Sequence, residues 1–144
     1  MVDSAYLAKA LADIRDGVAR IREVLPATVE ELRADRTRRE VVVLNLFVAL
    51  QECLSVATHW LADDARRMPV GYRGAFERLG ELGVLSPELA QRLASAMGLR
   101  NLIAHRYGTL DVERLYEVAS RHLNDLELFC SAVAQRAADV RRPT

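Results

Sequence analysis

Arg100, His105 and Tyr107 place a permanent cation, a titratable imidazole and a phenol within eight residues of one helical segment. An arginine stabilises the negative charge that develops on phosphorus, and a histidine can take or give a proton. A tyrosine hydroxyl donates a hydrogen bond to a phosphate oxygen. This set suits cleavage of RNA without a metal ion, because RNA supplies its own 2′-hydroxyl as the nucleophile.

The spacing of these residues limits how one helix can present them. Tyr107 is predicted to lie above Arg100 on the same face of the helix. His105 falls in the last turn, where the helix dipole favours a protonated imidazole, and is turned roughly 140° from Arg100 on an ideal helix. One straight helix therefore cannot direct all three groups at one small target. Two copies related by a two-fold axis can, so we expect a dimeric site.

Length and composition predict a single domain over residues 1–144. Hydrophobic residues make up 51% of the chain, which argues against disorder. The formal net charge is +0, which excludes the broad basic surface of many nucleic-acid-binding proteins, so any RNA contact must be local. The N-terminal residues lack a signal-peptide pattern, and the apolar run at residues 41–50 is too short to span a membrane. We expect a cytoplasmic protein without membrane contact.

The two cysteines, Cys53 and Cys130, lie far apart in apolar helical segments. This separation does not suit a disulfide framework or a zinc site, which needs clustered ligands. We expect free, buried thiols, and the sequence implies neither a metal ion nor a cofactor.

Apolar residues recur at helical intervals through most of the chain, and no segment alternates with a period of two. The first helix begins at Asp3 or Ser4 and ends near Pro26. Its apolar stripe comprises Leu7, Leu11, Ile14, Val18 and Ile21.

Two pairs of residues have the spacing of a capping box. Thr28 with Glu31 predicts a short helical turn, and Thr37 with Glu40 predicts the start of a long helix. That helix, over residues 41–61, is apolar on nearly all sides, so we expect it to lie at the centre of the fold.

Loop residues then separate the central helix from the remaining helices: Asp63, Asp64, Pro69 and Gly71. A short helix follows over residues 72–82 and is stopped by Gly83. Ser86 and Pro87 begin the next helix, which carries Arg100 and extends to Tyr107.

Asp111 begins the last helix, whose stripe is predicted to run unbroken through Leu115, Val118, His122, Leu126, Phe129 and Val133. The predicted fold class is therefore all-α, an antiparallel up-and-down bundle of four main helices with a short extra helix.

The octapeptide at residues 100–107 resembles the signature of HEPN-domain proteins: an arginine, then Asn101, then a histidine and a tyrosine. It is most similar to the HepT group of toxins, which are paired with MntA-like minimal nucleotidyltransferases. The likeness includes residues 41–46, 72–76, 83–89 and 111–116. Leu99 departs from the pattern, because an aromatic residue is common there, and we expect this to affect packing only.

The resemblance implies a homodimeric helical bundle and a metal-independent endoribonuclease toxin, with its cleft at the dimer interface and RNA as its substrate. Arg100 and His105 match the catalytic pair, and Asn101 matches an auxiliary polar position. Tyr107 matches a phosphate-contacting tyrosine that the partner nucleotidyltransferase antitoxin modifies with AMP.

Simpler interpretations remain open beside this one. Arg100 can pair with an acidic residue on another helix, His105 can bond terminal carbonyls, and Tyr107 can be a packed aromatic. The whole chain can then serve as a non-catalytic docking subunit for a nucleotidyltransferase, or as a plain dimerisation bundle.

The remaining polar and aromatic candidates are interpreted as structural. Core or interface packing is expected for His59, Trp60, Tyr116 and His122. A cluster of arginines with acidic neighbours is interpreted as a solvated helix start and not an RNA patch: Arg36, Arg38 and Arg39.

Overall fold

The structure of the protein, a computed structural model, describes residues 2–62 and 71–142. These residues form helices and no strand, which confirms the predicted all-α class. The helices are α1 (Ser4–Val24), α2 (Val29–Ala34), α3 (Arg36–Ala62), α4 (Gly71–Glu81), α5 (Pro87–Arg106), α6 (Val112–Arg121) and α7 (Leu123–Arg141), with a 3₁₀ turn at Tyr107–Thr109.

Helix α3 is the centre of the fold, as its apolar composition predicts. It packs against all six other helices of the described chain. Its buried residues include Val42, Leu46, Leu50, Cys53 and Val56. By length and composition alone α3 could cross a membrane, but 44% of its most apolar window is already buried inside the protein. Burial in the core therefore accounts for part of the hydropathy of α3.

Helix α1 packs along α3 through the predicted stripe, and all five stripe residues are buried. Asp3 is the cap, since its carboxylate accepts a hydrogen bond from the Tyr6 backbone N–H at 2.9 Å. Gly17 allows the close approach of the two helices. A Cβ at this position would lie 3.3 Å from the carbonyl oxygen of Asn45, so a larger residue would push α1 away from α3.

One of the two helix starts predicted from these pairs is correct and the other is wrong. The Thr28 hydroxyl accepts from the Glu31 N–H at 3.2 Å and begins α2. Thr37, by contrast, lies inside α3, which begins at Arg36. Asp35 caps α3 by accepting from the Arg38 N–H at 3.1 Å. The Asp35 carboxylate lies before Thr37 in the chain, so the helix begins before Thr37 can act as its cap. The negative charge of Asp35 also interacts favourably with the helix dipole.

The last predicted helix is divided in two. Asp111 begins α6 as expected, accepting from the Glu113 N–H at 3.0 Å. The helix then ends at His122, whose backbone (φ −115°, ψ 5°) separates α6 from α7. The break redirects the chain while both helices keep buried residues on the core, among them Val118 and Leu126. Apolar periodicity continues through the break, so it did not reveal the bend.

The connection between α3 and α4 was predicted as a loop, and Asp63, Asp64 and Pro69 lie outside the described residues. Gly71, the last of the predicted loop residues, is instead the first residue of α4. Gly83 adopts a φ of +74° just after α4 ends, which is the left-handed conformation expected of a helix-stopping glycine.

Candidate functional site

Helix α5 carries Arg100, Asn101 and His105, and its N-terminal cap and buried side chains hold it against the core. Its N-terminus is capped by Ser86, whose hydroxyl accepts from the Leu89 N–H at 3.2 Å, and Pro87 occupies the first turn. Leu93 and Met97 bury the middle of the helix in the core. The site residues follow in its last two turns, so the position of their backbone is set by packed structure upstream.

Arg100 reaches from α5 to α3. Its Nε and Nη2 atoms both donate to Oε1 of Gln51, at 2.9 and 2.7 Å, and its Nη1 donates to Oδ1 of Asn101 at 2.8 Å. The guanidinium carbon lies 5.7 Å from the centre of the Phe47 ring, within cation–π range. These contacts fix a half-buried guanidinium in one orientation.

The partners of Arg100 decide between two interpretations of this residue. In residues 2–62 and 71–142, its hydrogen-bond partners are neutral amide oxygens, and no ion pair joins it to a carboxylate. The interpretation as one half of an ion pair within the bundle is therefore wrong for the described chain. Three of the five guanidinium N–H groups are used, which leaves two donors and an uncompensated charge available to an anion.

His105 lies in the last turn of α5, as predicted, and its side chain is exposed to solvent. Because α5 is a regular α-helix through both positions, His105 and Arg100 point in directions roughly 140° apart. The structure thus brings Arg100 together with Asn101 but does not bring His105 to them within one protomer.

Tyr107 is not part of α5, contrary to the prediction. Arg106 leaves the helical conformation (φ −141°, ψ 41°), and residues Tyr107–Thr109 form a 3₁₀ turn. The Thr109 hydroxyl supports the turn by donating to the Arg106 carbonyl at 3.1 Å. Tyr107 is 52% exposed, and because it lies outside α5 it does not share a continuous helix face with Arg100.

An exposed apolar surface on α3 borders this site. Leu44 is 62% exposed and Val48 is 42% exposed, one helical turn apart. Phe47 and Gln51, which contact Arg100, occupy neighbouring positions on the same helix. Two large aliphatic side chains therefore face solvent beside the fixed Arg100 side chain.

Other candidate residues have the structural roles expected of them. The His59 ring lies 4.1 Å from the Tyr6 ring, and Trp60 packs against the core. The Tyr116 hydroxyl donates to the Pro26 carbonyl at 2.9 Å. Within the described residues, no three His, Cys, Asp or Glu side chains are grouped closely enough to hold a metal ion.

Sequence reasoning missed two contributors to the site. The sequence places Phe47 and Gln51 at helical intervals along the central helix, and this pattern indicates no role for either of them at the site. Gln51 lies 49 positions from Arg100 in the chain and Phe47 lies still farther away, so no local pattern signals these contacts. A polar glutamine within a strongly apolar helix was the one available clue.

Comparisons with known proteins agree with this architecture. A family model described as "Ribonuclease HepT-like" matches residues 14–133. The mRNA nuclease HepT of Shewanella oneidensis is 27% identical over 123 residues, covering 85% of this chain and 92% of that protein. The tRNA nuclease HepT of Aphanizomenon flos-aquae is 36% identical over 55 residues, which are 38% of this chain and 37% of that protein.

A solved structure gives the same fold. The tri-AMPylated HEPN toxin of Shewanella oneidensis, in complex with an MNT antitoxin, matches with a TM-score of 0.83 at 25% identity. The match covers 92% of this chain and 99% of that one. The residues matched by the family model include Arg100, His105 and Tyr107.

Proposed function

The chain belongs to the HepT-like ribonuclease family, and on that premise we propose that it is the toxin of a toxin–antitoxin pair, a homodimeric, metal-independent endoribonuclease. The observation that supports this most directly is the state of Arg100. Its charge is fixed by two amides and a ring, without a carboxylate among the described residues, close to the exposed apolar surface of α3. A cation held this way suits an incoming phosphate.

The proposed reaction uses the RNA strand's own nucleophile. His105 accepts the proton of a ribose 2′-hydroxyl, and the 2′-oxygen attacks the adjacent phosphorus while the bond from phosphorus to the 5′-oxygen breaks. The leaving 5′-oxygen takes up a proton from water, and the phosphate remains as a cyclic 2′,3′-diester. Arg100 stabilises the extra negative charge on the phosphoryl oxygens during this step. Asn101 acts as a positioning residue by bracing Arg100.

A second protomer completes the site in this proposal. Arg100 and His105 diverge on α5, so the imidazole that serves one guanidinium is supplied more readily by the partner chain across a two-fold axis. Leu44 and Val48 offer the apolar contact that such a dimer requires. The cleft would then lie between the two copies of α3 and α5.

Neutralisation is proposed to occur at Tyr107, through a nucleotidyltransferase antitoxin of the MntA type. The phenol oxygen attacks the α-phosphorus of ATP, pyrophosphate leaves, and the phenol proton is released, which leaves AMP joined to Tyr107. The exposure of Tyr107 and its position two residues after His105 support this assignment. The AMPylated state of the toxin from Shewanella oneidensis supports it further. We place the pair in the cytoplasm, without membrane contact.

The alternative function is a non-catalytic docking subunit for a nucleotidyltransferase. Cleavage of RNA by purified protein in EDTA separates the two functions. We expect cleavage by the wild type, and loss of cleavage in Arg100→Ala and in His105→Ala. The matched control is Arg92→Ala, which removes an arginine of the same helix that pairs with Asp125 at 3.0 Å. Cleavage that persists in His105→Ala, or that disappears in EDTA, refutes the proposed mechanism.

Mixing the two inactive variants tests whether the site is shared between protomers. If Arg100 of one chain works with His105 of the other, each mixed dimer has one intact site, and random mixing restores about a quarter of the wild-type activity. If both groups act within one chain, the mixed dimer has no intact pair and the mixture stays inactive.

A further inference from the structure

A second feature of the fold lies beside Tyr107, where the 3₁₀ turn meets the start of α3. A cavity of about 230 Å³ opens there. The charged residues of its wall are Arg36, Arg39 and Glu40, and the remaining lining residues are Val43, Tyr107, Gly108, Leu110 and Val112. Two cations and one carboxylate give this cavity a formal charge of +1, in a chain whose overall charge is +0.

The local sequence explains why the arginines gather there. Asp35 ends α2 and caps α3, so Arg36 and Arg39 fall in the first turn of the long central helix. Arg39 is half-buried and donates through Nη1 to the carbonyls of Leu32 and Arg33, at 3.3 and 2.6 Å. These bonds tie the end of α2 to α3 and hold the Arg39 guanidinium in place. The first turn of a helix also favours an anion.

Arg36 lines the cavity together with Tyr107. Its Nε donates to Oε1 of Glu40 at 2.8 Å, one turn along the same helix. The pKa of Arg36 is raised above its ordinary value, first by the hydrogen bond and charge of Glu40, with a smaller contribution from the Tyr107 oxygen. Arg36 and Tyr107 line the same cavity, and the hydrogen bond to Glu40 orients the guanidinium along the cavity wall.

From this arrangement we infer that the cavity holds the phosphate that joins a nucleotide to Tyr107. The inference rests on the modification proposed above and adds the residues that receive its product. A phosphodiester on the Tyr107 oxygen carries one negative charge, which complements the +1 charge of the cavity. Arg36, which is exposed, contacts the phosphate through its Nη groups, because Glu40 engages only its Nε among the described residues. Arg39, which bonds backbone carbonyls, supplies the fixed positive charge behind it.

Binding of the phosphate in this cavity has a consequence for silencing the toxin. A nucleotide whose phosphate is bound between α3 and the 3₁₀ turn stays beside His105 and does not swing freely in solvent. It is also less accessible to an added phosphodiesterase, because its phosphorus lies within a concave wall. The sequence-based interpretation of Arg36 and Arg39 as a solvated helix start omits this role, since Tyr107 is about 70 residues away in the chain.

The test uses full-length protein modified by an MntA-type nucleotidyltransferase with ATP. Mass spectrometry first measures AMP on Tyr107, and a phosphodiesterase is then added to follow release of the tyrosine-linked AMP. We expect release about tenfold faster in Arg36→Gln than in the wild type, with partial protection restored in Arg36→Lys. Arg38→Gln is the matched control, because Arg38 lies in the same turn, pairs with Asp35 at 3.4 Å and does not line the cavity.

Each other outcome overturns the inference in a recognisable way. Equal release rates in Arg36→Gln and the wild type show that the cavity does not hold the phosphate. A raised KM for RNA in unmodified Arg36→Gln, with wild-type release of AMP, assigns the cavity to a phosphate of the RNA strand instead. Absence of AMP on Tyr107 of the wild type refutes the modification itself. It also refutes the proposed phosphate site in the cavity, but it leaves the ribonuclease proposal intact.

Discussion

Arg100 on α5 donates two hydrogen bonds to one oxygen of Gln51 on α3, from Nε at 2.9 Å and from Nη2 at 2.7 Å. A neutral acceptor fixes the guanidinium without cancelling its charge. A carboxylate in the same place would hold the arginine as firmly but would compete with any phosphate. The glutamine thus keeps a half-buried cation both ordered and available.

This relationship predicts the effect of Gln51→Glu. The new carboxylate forms an ion pair with Arg100 and competes with the RNA phosphate, so we expect kcat/KM to fall by about tenfold, mainly through KM. Steady-state cleavage of a defined RNA measures this effect. Gln91→Glu adds the same charge at an exposed position of α5 and serves as the control. Unchanged kinetics in Gln51→Glu would show that Gln51 does not position Arg100 for the proposed reaction.

Replacement of Arg100 by lysine tests geometry separately from charge. Lysine keeps the cation but cannot bond Gln51 and Asn101 while still offering two donors to a phosphate. We expect kcat to fall roughly 100-fold in Arg100→Lys. The thermal unfolding midpoint should stay near that of the wild type, because the aliphatic part of the side chain is retained. Activity close to the wild type would reduce the role of Arg100 to a simple electrostatic one.

The sequence predicted most of the helices because their starts carry their own chemistry. Asp3, Thr28, Ser86 and Asp111 all cap the helices expected of them. Buried stripes follow each start at helical intervals, and this pattern was sufficient to predict the all-α class.

Two features escaped because they depend on tertiary structure. The bend at His122 interrupts hydrogen bonds but not the apolar period, and the end of α5 at Arg106 moves Tyr107 off the face that it shares with Arg100 on an ideal helix. The motif therefore identified the candidate site residues, but it did not predict how they are arranged in space. The partners of Arg100 on α3 became visible only when the helices were packed together.

The mistaken cap gives a direct test of the start of α3. Asp35→Ala removes the acceptor for the Arg38 N–H and should lower the free energy of unfolding by about 1 kcal/mol. Thr37→Ala removes the residue that sequence alone suggests, and should change stability by less than about 0.5 kcal/mol because Thr37 is exposed inside the helix. Urea unfolding of both variants measures the difference, and the reverse order would restore the capping-box prediction.

The apolar surface of α3 predicts the oligomeric state. Leu44→Asp places a charge at a side chain that is 62% exposed in the isolated chain and covered in the proposed dimer. We expect this variant to be folded, monomeric by light scattering and inactive on RNA, because the shared site is lost. Val140→Asp, at a side chain 52% exposed on α7, is the control and should remain dimeric. A dimeric and active Leu44→Asp would place the interface elsewhere.

The buried thiols predict how stability changes at alkaline pH. Cys53 and Cys130 are free and buried. Burial raises the pKa of Cys130 from 9.0 to about 11, partly offset by the charge of Arg15, and burial raises the pKa of Cys53 well above its usual value. A raised pKa in the folded state means that the stabilising contribution is complete below pH 9 and is lost as the pH rises towards 11.

The measurement is the urea midpoint of the wild type and of Cys130→Ala between pH 8 and pH 11. Removal of the thiol costs stability at pH 8, because it leaves a small cavity between α1 and α7. The difference between the two proteins should shrink as the pH rises, since only the wild type then loses stability through ionisation of the Cys130 thiol. Other alkaline titrations, such as that of Tyr6, affect both proteins and cancel. A difference that stays constant up to pH 11 would show that the Cys130 thiol ionises as easily in the folded protein as in the unfolded chain.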